Sequence, residues 1–315
     1  MKIAIACLQM ASHPYDWDYN IGKAEAMIRE AASSGANICL LPEVFIPGYS
    51  HTIKNFQQAE SVDGSTISTL KSLAEELNLY ISGSFIEKSE NNFYNTMVVI
   101  GPEGLLGKYH KKYVFSLEQK YWKCGKEVAI VQTEFGDIGL GICADMHYPK
   151  LWKQYAGKVD LILICSAWPG TPSGTRTKYA IHEEELCKDL PSQISRVLQL
   201  PTAYCNACHP CEGKLPLGLG TMACAGFSKI VGKGTIVASI DSREEQIIQA
   251  TVNTSEERPI IDPSNFKNWI EYPLREKIPK FFVETFAVPY ARLYYQYAKK
   301  KYSFKYDFQF EKPIM

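Results

Sequence analysis

The stretch EFGDIGLGICADMHYPKLW, Glu134 to Trp152, decides how the chain reads. Ile138 to Ile142 is apolar and punctuated by Gly139 and Gly141, the pattern of a buried strand, and Pro149 stands where a helix opens its first turn. Cys143 therefore falls at a strand-to-helix corner. Free backbone N–H groups and the positive end of a helix dipole lower the pKa of a thiol placed there, which makes Cys143 a candidate nucleophile with oxyanion donors beside it. A small buried hydrophobe is the other reading of any free cysteine, and this stretch alone leaves both open.

Upstream, Ile3 to Leu8 reads as a strand, and Tyr19 to Ala32 as a helix with Ile21, Ala24, Ile28 and Ala31 on one stripe. The run Ile38 to Leu41 is a strand buried on both faces, and it ends abruptly in Pro42-Glu43. A carboxylate there is either ion-paired or solvated in a loop, or desolvated and so a better general base. Ser65 to Leu77 fits a second helix, and Leu79 to Phe85 and Phe93 to Ile100 fit strands, with a Pro102-Glu103-Gly104 turn to a neighbour. The order β, α, β, α, β, β builds a layered α/β domain. In Gly107-Lys108-Tyr109-His110-Lys111-Lys112-Tyr113, three lysines form either a solvated face or one inward ammonium poised where negative charge develops.

Downstream, the helix after Cys143 is expected to continue towards Tyr155, followed by a strand at Asp160 to Cys165. A helix covers His182 to Leu198, with Pro191 able to split it, and strands follow at Thr202 to Cys205, Gly226 to Val231, Thr235 to Ile240 and near Ile247 to Thr251.

Composition narrows the function classes. The 315 residues carry 34 basic and 34 acidic side chains, so no global field recruits nucleic acid or an anionic membrane. A small-molecule partner is the default. The opening Lys2 and apolar run imitate a signal peptide, yet the run stops at Gln9, and no apolar segment approaches the ~20 residues of a membrane-spanning helix. Ten scattered cysteines, several inside apolar strands, argue for a reduced, cytoplasmic protein. Cys205-Asn206-Ala207-Cys208-His209 spells the haem-attachment pattern, and with Cys211 offers soft metal ligands, but reduced loop cysteines are the favoured account, so neither cofactor nor metal is expected. The tail, from about Asp262 to Met315, interleaves aromatics with lysines and reads as an arm packing on its own domain or a sister subunit.

Taken in order, these residues resemble the signature of the carbon-nitrogen hydrolase, or nitrilase, superfamily. LLPEVFIPGY resembles its general-base segment, which puts that role on Glu43; GKYHKKY resembles its lysine segment, aligned on Lys111; GLGICADMHYP resembles the nucleophile segment, with Cys143 as nucleophile; and EQKYWKCG resembles the stretch of the second glutamate, Glu118. Asn95-Thr96, Asn206 and Gly226-Phe227-Ser228 agree as secondary markers. The resemblance implies a four-layer αββα sandwich with hydrolase domain 1–260 and C-terminal extension 261–315, assembled as a homodimer or higher homo-oligomer.

The activity implied is cofactor-free hydrolysis of a small linear amide or N-carbamoyl compound through a thioester, with Lys111 and the Ala144 backbone N–H holding the oxyanion. Ala144-Asp145 follows the cysteine where nitrilases carry Trp-Glu, which favours amidase and carbamoylase chemistry over nitrile hydrolysis. Tyr49, Tyr113, His147 and Trp168 are expected to line the pocket with Ala144, each equally able to be core packing. A catalytically silent scaffold protein and an acyltransferase sharing the thioester are the competing readings.

Overall fold

The computed structural model describes residues 1–170, 178–208, 213–214, 221–254, 258–267, 269–270 and 283–303. In β1 (Lys2–Gln9), Ile3, Ile5 and Cys7 turn to one face and Ala6 and Leu8 to the other, and both faces are buried. Helix α1 (Trp17–Ser33), capped by the Asp16 carboxylate on the Tyr19 N–H, lays Ile21, Ala24, Ile28 and Ala31 over the second face. After β2 (Ile38–Leu40) and the single turn α2 (Lys54–Gln57), α3 (Ser65–Leu77) covers that layer through Ile67, Leu70 and Ala74. Strands β3 (Tyr80–Ser89), β4 (Asn92–Gly101) and β5 (Gly104–His110) complete this half.

The second half repeats the plan. It contains β6 (Ile130–Thr133), β7 (Gly136–Ile142), α4 (Pro149–Tyr155), β8 (Leu161–Ser166), α5 (Lys178–Leu198) and β9 (Thr202–Asn206). A two-residue pair, β10 (Gly213–Lys214) with β11 (Thr221–Met222), precedes β12 (Lys229–Gly232), β13 (Thr235–Ser239) and β14 (Gln246–Asn253). One sheet runs β14-β1-β2-β3-β4-β5 and the other β13-β12-β9-β8-β7-β6. Each holds a parallel trio, β1-β2-β3 or β7-β8-β9, with antiparallel strands on both sides. The sheets pack face to face with helices outside, a four-layer αββα sandwich.

The opening stretch explains itself in this frame. Ile138, Leu140 and Ile142 are buried in the core, and a Cβ on Gly141 or Gly139 would meet the Trp152 ring at 2.5 Å or the Tyr155 ring at 3.0 Å. Glycine lets α4 press directly on β7.

Three expectations change. One 3-10 turn, Cys143–His147, intervenes before α4 begins at Pro149, so no continuous helix follows the cysteine. Pro191 does not split α5, whose Leu190, Ile194 and Leu198 stay in the core on either side of it. The tail forms a helix that hydrophobic periodicity did not reveal, α6 (Val288–Ser303). The Phe93 N–H donates to Tyr295 Oη over 3.0 Å, Phe56 stacks on Tyr302 at 5.4 Å, and Trp269 Nε1 donates to the Met146 carbonyl at 2.7 Å. These contacts lie within one chain. No helix among the described residues is long and apolar enough to cross a membrane.

Candidate active site

Glu43 stands where the two sheets meet. Its N–H donates to the Ser166 carbonyl (3.2 Å) at the end of β8, and its Oε2 accepts the Ala167 N–H (2.8 Å). The next residue, Val44, has φ of 46°, a left-handed conformation that a β-branched side chain resists, and its N–H is held by Ser84 Oγ at 2.8 Å.

Lys111 follows β5, with its N–H on the Asn95 carbonyl (2.9 Å) and its own carbonyl taking the Gly125 N–H (2.8 Å). Its side chain is fully buried, and Nζ donates to Glu43 Oε1 (2.7 Å) and Glu118 Oε2 (2.9 Å). Of the three clustered lysines, this is the inward one; Lys108 is exposed. Asn95 Nδ2 donates to Glu43 Oε1 at 2.8 Å, Phe115 N–H to Glu118 Oε2 at 3.0 Å, and the Tyr49 hydroxyl to Glu118 Oε1. Gly125 has a steric reason to be glycine. A Cβ there would lie 2.1 Å from the His110 carbonyl oxygen, immediately before Lys111.

Cys143 follows β7 directly, with φ of 45° and 6% exposure. Asp145 fixes its corner. Oδ2 accepts the Ile142 N–H (2.9 Å) and the Tyr109 hydroxyl (2.8 Å), and Oδ1 accepts the Tyr113 N–H (2.9 Å), so one carboxylate clamps the nucleophile turn to the lysine segment. Burial pushes Asp145 up to about 6, against the pull of these donors.

Electrostatics correct the expectation of a resting thiolate. Burial, then the neighbouring Glu43, push the Cys143 thiol well above its ordinary value, and Lys111 only partly opposes them. The short 3-10 turn supplies too little dipole to reverse this. Burial also raises Glu43, with Glu118 adding to it and Lys111 working against it. For Lys111, burial favours the neutral amine, but Glu118 and Glu43 outweigh it and hold the ammonium. The resting set is a neutral thiol beside a strengthened carboxylate base and a fixed positive charge.

The residues expected around this centre take different places. Tyr49 is bonded into the polar cluster, and Ala144 is buried beside Cys143. His147 stacks on Trp168 at 4.7 Å, and Tyr113 on Tyr148 at 3.9 Å. Sequence reasoning gave no role to Asn95, the Ser166 carbonyl or the Ala167 N–H, all of which contact Glu43; backbone groups and small polar residues leave no chemical signature in a sequence. Cys205 and Cys208 are buried, the Cys208 thiol donating to the Gln9 carbonyl at 3.7 Å, while His209 and Cys211 lie outside the described residues. Among the described residues, no cluster of three or more His, Cys, Asp or Glu side chains could hold a metal ion.

With this geometry in hand, the comparisons with known proteins are specific. A probable nitrilase of Schizosaccharomyces pombe is 29% identical over 270 residues, covering 82% of this chain and 92% of that protein. The omega-amidase of Homo sapiens is 35% identical over 181 residues, 54% of this chain and 63% of its own length, so that alignment spans under two thirds of the relative. In structure, a carbon-nitrogen hydrolase superfamily protein of Xanthomonas campestris superposes with a TM-score of 0.67 at 20% identity, covering 90% of this chain and 97% of the other. An amidase of Nesterenkonia sp. gives 0.68 at 18% identity, covering 89% and 96%. These two likenesses establish the fold. The profile of the carbon-nitrogen hydrolase family matches residues 4–262, which carry both sheets and every residue of the polar centre, and the chain belongs to that family.

Proposed function

We propose that the protein hydrolyses a small linear amide or N-carbamoyl compound through a thioester on Cys143. The observation that carries this reading is the buried Lys111 ammonium bridging Glu43 (2.7 Å) and Glu118 (2.9 Å) beside a neutral thiol. Such an array has little structural value, because burying three charges costs more than an apolar core of the same volume. It suits a reaction in which charge appears and must be met.

In the proposed course, Glu43 takes the Cys143 proton as sulfur attacks the carbonyl carbon. The oxyanion lies against Lys111 Nζ and the Ala144 N–H. On collapse the C–N bond breaks, and the amine or ammonia leaves with the proton from Glu43. Glu43 then takes a proton from water, whose oxygen attacks the thioester carbon; the C–S bond breaks and the thiol is restored. Glu118, anchored by Tyr49 and the Phe115 N–H, orients the lysine. The raised basicity of Glu43 supports its part at each step. Tyr113, His147 and Trp168 are proposed to line the substrate side.

A homodimer or higher homo-oligomer and a cytoplasmic location are proposed with it, to be checked by light scattering and by imaging of the tagged chain. Cys7, Cys39, Cys165 and Cys205, each buried inside a strand without a disulfide, suit a reducing compartment. The test of function is a panel of primary amides, ω-amides, N-carbamoyl amines and nitriles scored for ammonia, with Cys143→Ala as blank. Turnover of an amide or carbamoyl compound by the native chain alone is expected; equal turnover by the alanine variant, or turnover of nitriles only, overturns the proposal.

A further inference from the structure

The mechanism above gives the tail no task, yet α6 packs on the turn that carries Glu118. That turn is 3-10, Ser116–Lys120, with Glu118 at its centre. The Glu118 carboxylate meets Lys111 Nζ (2.9 Å), the Tyr49 hydroxyl and the Phe115 N–H, while its carbonyl takes the Tyr121 N–H at 2.8 Å and the Trp122 N–H at 3.1 Å. The two residues that follow it are held by α6.

Gln119 is fixed at both ends of its amide. Nε2 donates to the Val114 carbonyl at 3.1 Å, and Oε1 accepts from Arg292 Nε at 2.7 Å. Next in the chain, Lys120 Nζ lies over three tyrosine rings, 4.6 Å from the centroid of Tyr294 and 5.8 Å from those of Tyr290 and Tyr121. Tyr290 and Tyr294 are four residues apart, so one face of α6 presents both rings to the same ammonium. Burial lowers the Lys120 pKa, and the negative ring faces supply stabilisation that water no longer gives its charge.

The helix is itself firmly held. Tyr295 Oη takes the Phe93 N–H at 3.0 Å and the Phe93 carbonyl takes the Lys123 N–H at 2.8 Å, which ties α6 and the end of the Glu118 segment to one residue of β4. Tyr295 and Ala298 are buried in one cluster with Tyr49, Tyr121 and Trp122. Val44, next to Glu43 in the chain, and Ala167, whose N–H donates to Glu43, belong to the same cluster. A packed core thus joins the tail to the hydroxyl that anchors Glu118. A five-residue 3-10 turn has few internal bonds to keep a carboxylate in register with an ammonium, and outside support makes up the difference.

We propose that α6 is a positioning element of the active site: Tyr290 and Tyr294 hold Lys120, Arg292 holds Gln119, and together they fix the turn from which Glu118 aims the Lys111 ammonium. The inference rests on the reading of Lys111 as oxyanion stabiliser. None of these tail residues touches the reacting atoms. Their loss should therefore appear in kcat, where the oxyanion is met, and leave KM in place.

The test is steady-state ammonia release from the best amide or carbamoyl substrate of the panel, in the native chain, Tyr294→Leu, Tyr294→Phe, Lys120→Met, Arg292→Met and the double variant Tyr294→Leu with Lys120→Met, each checked for folding by circular dichroism and urea unfolding. Tyr294→Leu and Lys120→Met are each expected to lower kcat about three- to tenfold at unchanged KM, the size of one half-buried cation–π contact. The double variant should be no slower than the worse single, because both remove the same contact. Tyr294→Phe keeps the ring face and should restore kcat to within about twofold of native. Arg292→Met, on the exposed side of the helix, should lower kcat about two- to fivefold, and it decides if Tyr294→Leu does not fold. Native kcat in the folded single variants, or losses that multiply in the double variant, overturn the coupling of the tail to Glu118. Absence of turnover in the native chain overturns instead the reading beneath it.

Discussion

Glu43 shows how little a residue's identity says without its surroundings. The same carboxylate in a loop would be an ordinary surface charge; here burial and Glu118 raise its pKa above the usual 4.5 while Lys111 limits the rise. The base must be ionised to act, so activity should fall as pH drops through that raised value and be complete above it. We expect an acid limb in kcat displaced upward from the ordinary glutamate range. Glu43→Gln should lose the limb and lower kcat about a hundred- to ten-thousandfold, measured as ammonia release against pH. A limb that survives in the glutamine variant would assign the proton transfer to another group. Glu43 and Lys111 were legible because their neighbours, Pro-Glu after an apolar run and Gly-x-Tyr-x-Lys, form family motifs. The thiol's protonation state was not legible, because it depends on burial and on charges that arrive from other segments.

At the scale of elements, two glycines separate local from tertiary causes. Gly22 lies in α1, and a Cβ added there would have nothing within 4 Å, so Gly22→Ala should stabilise the protein by up to about 1 kcal/mol through helix propensity. Gly125 abuts the His110 carbonyl, a backbone atom that cannot rotate away. Gly125→Ala must displace either the strand end carrying Lys111 or its own segment. We expect a loss of about 1–3 kcal/mol and at least a tenfold fall in kcat, read by urea unfolding and steady-state assay. Unchanged kcat would mean that Lys111 is held independently of this contact. The final glycine of EQKYWKCG was visible as a pattern, and only the packing of its backbone on β5 supplies the cause.

The whole molecule places its centre at the C-terminal ends of two parallel trios, since Glu43 follows β2, Cys143 follows β7 and Ser166 ends β8. The tail helix packs against the turn that carries Glu118, where Arg292 Nε donates to Gln119 Oε1 at 2.7 Å. Tyr295 Oη is the acceptor for the Phe93 N–H, so Tyr295→Phe leaves a buried donor unsatisfied and should cost about 1–3 kcal/mol in chemical unfolding with the active-site residues untouched. A neutral result would show that water or a shifted α6 replaces the bond. The tail's helix escaped sequence reading because tyrosines and lysines occur on both its faces: Ala291, Tyr295 and Ala298 are buried, while Tyr290, Leu293 and Tyr297 are exposed. Apolar periodicity is a good guide where a helix has one wet face, as α1 and α3 do, and a poor one where amphipathic rings serve on both. By itself the sequence determined most of the strands, though not β6 or the β10–β11 pair, the main helices, and the order in which glutamate, lysine and cysteine occur, since those follow from short-range periodicity and local motifs. Tertiary structure alone decided which lysine is dry, that the thiol keeps its proton, that the Ser166 carbonyl holds the Glu43 N–H, and that Asp145 joins the cysteine corner to the lysine segment, because each depends on desolvation and on contacts between segments far apart in the chain.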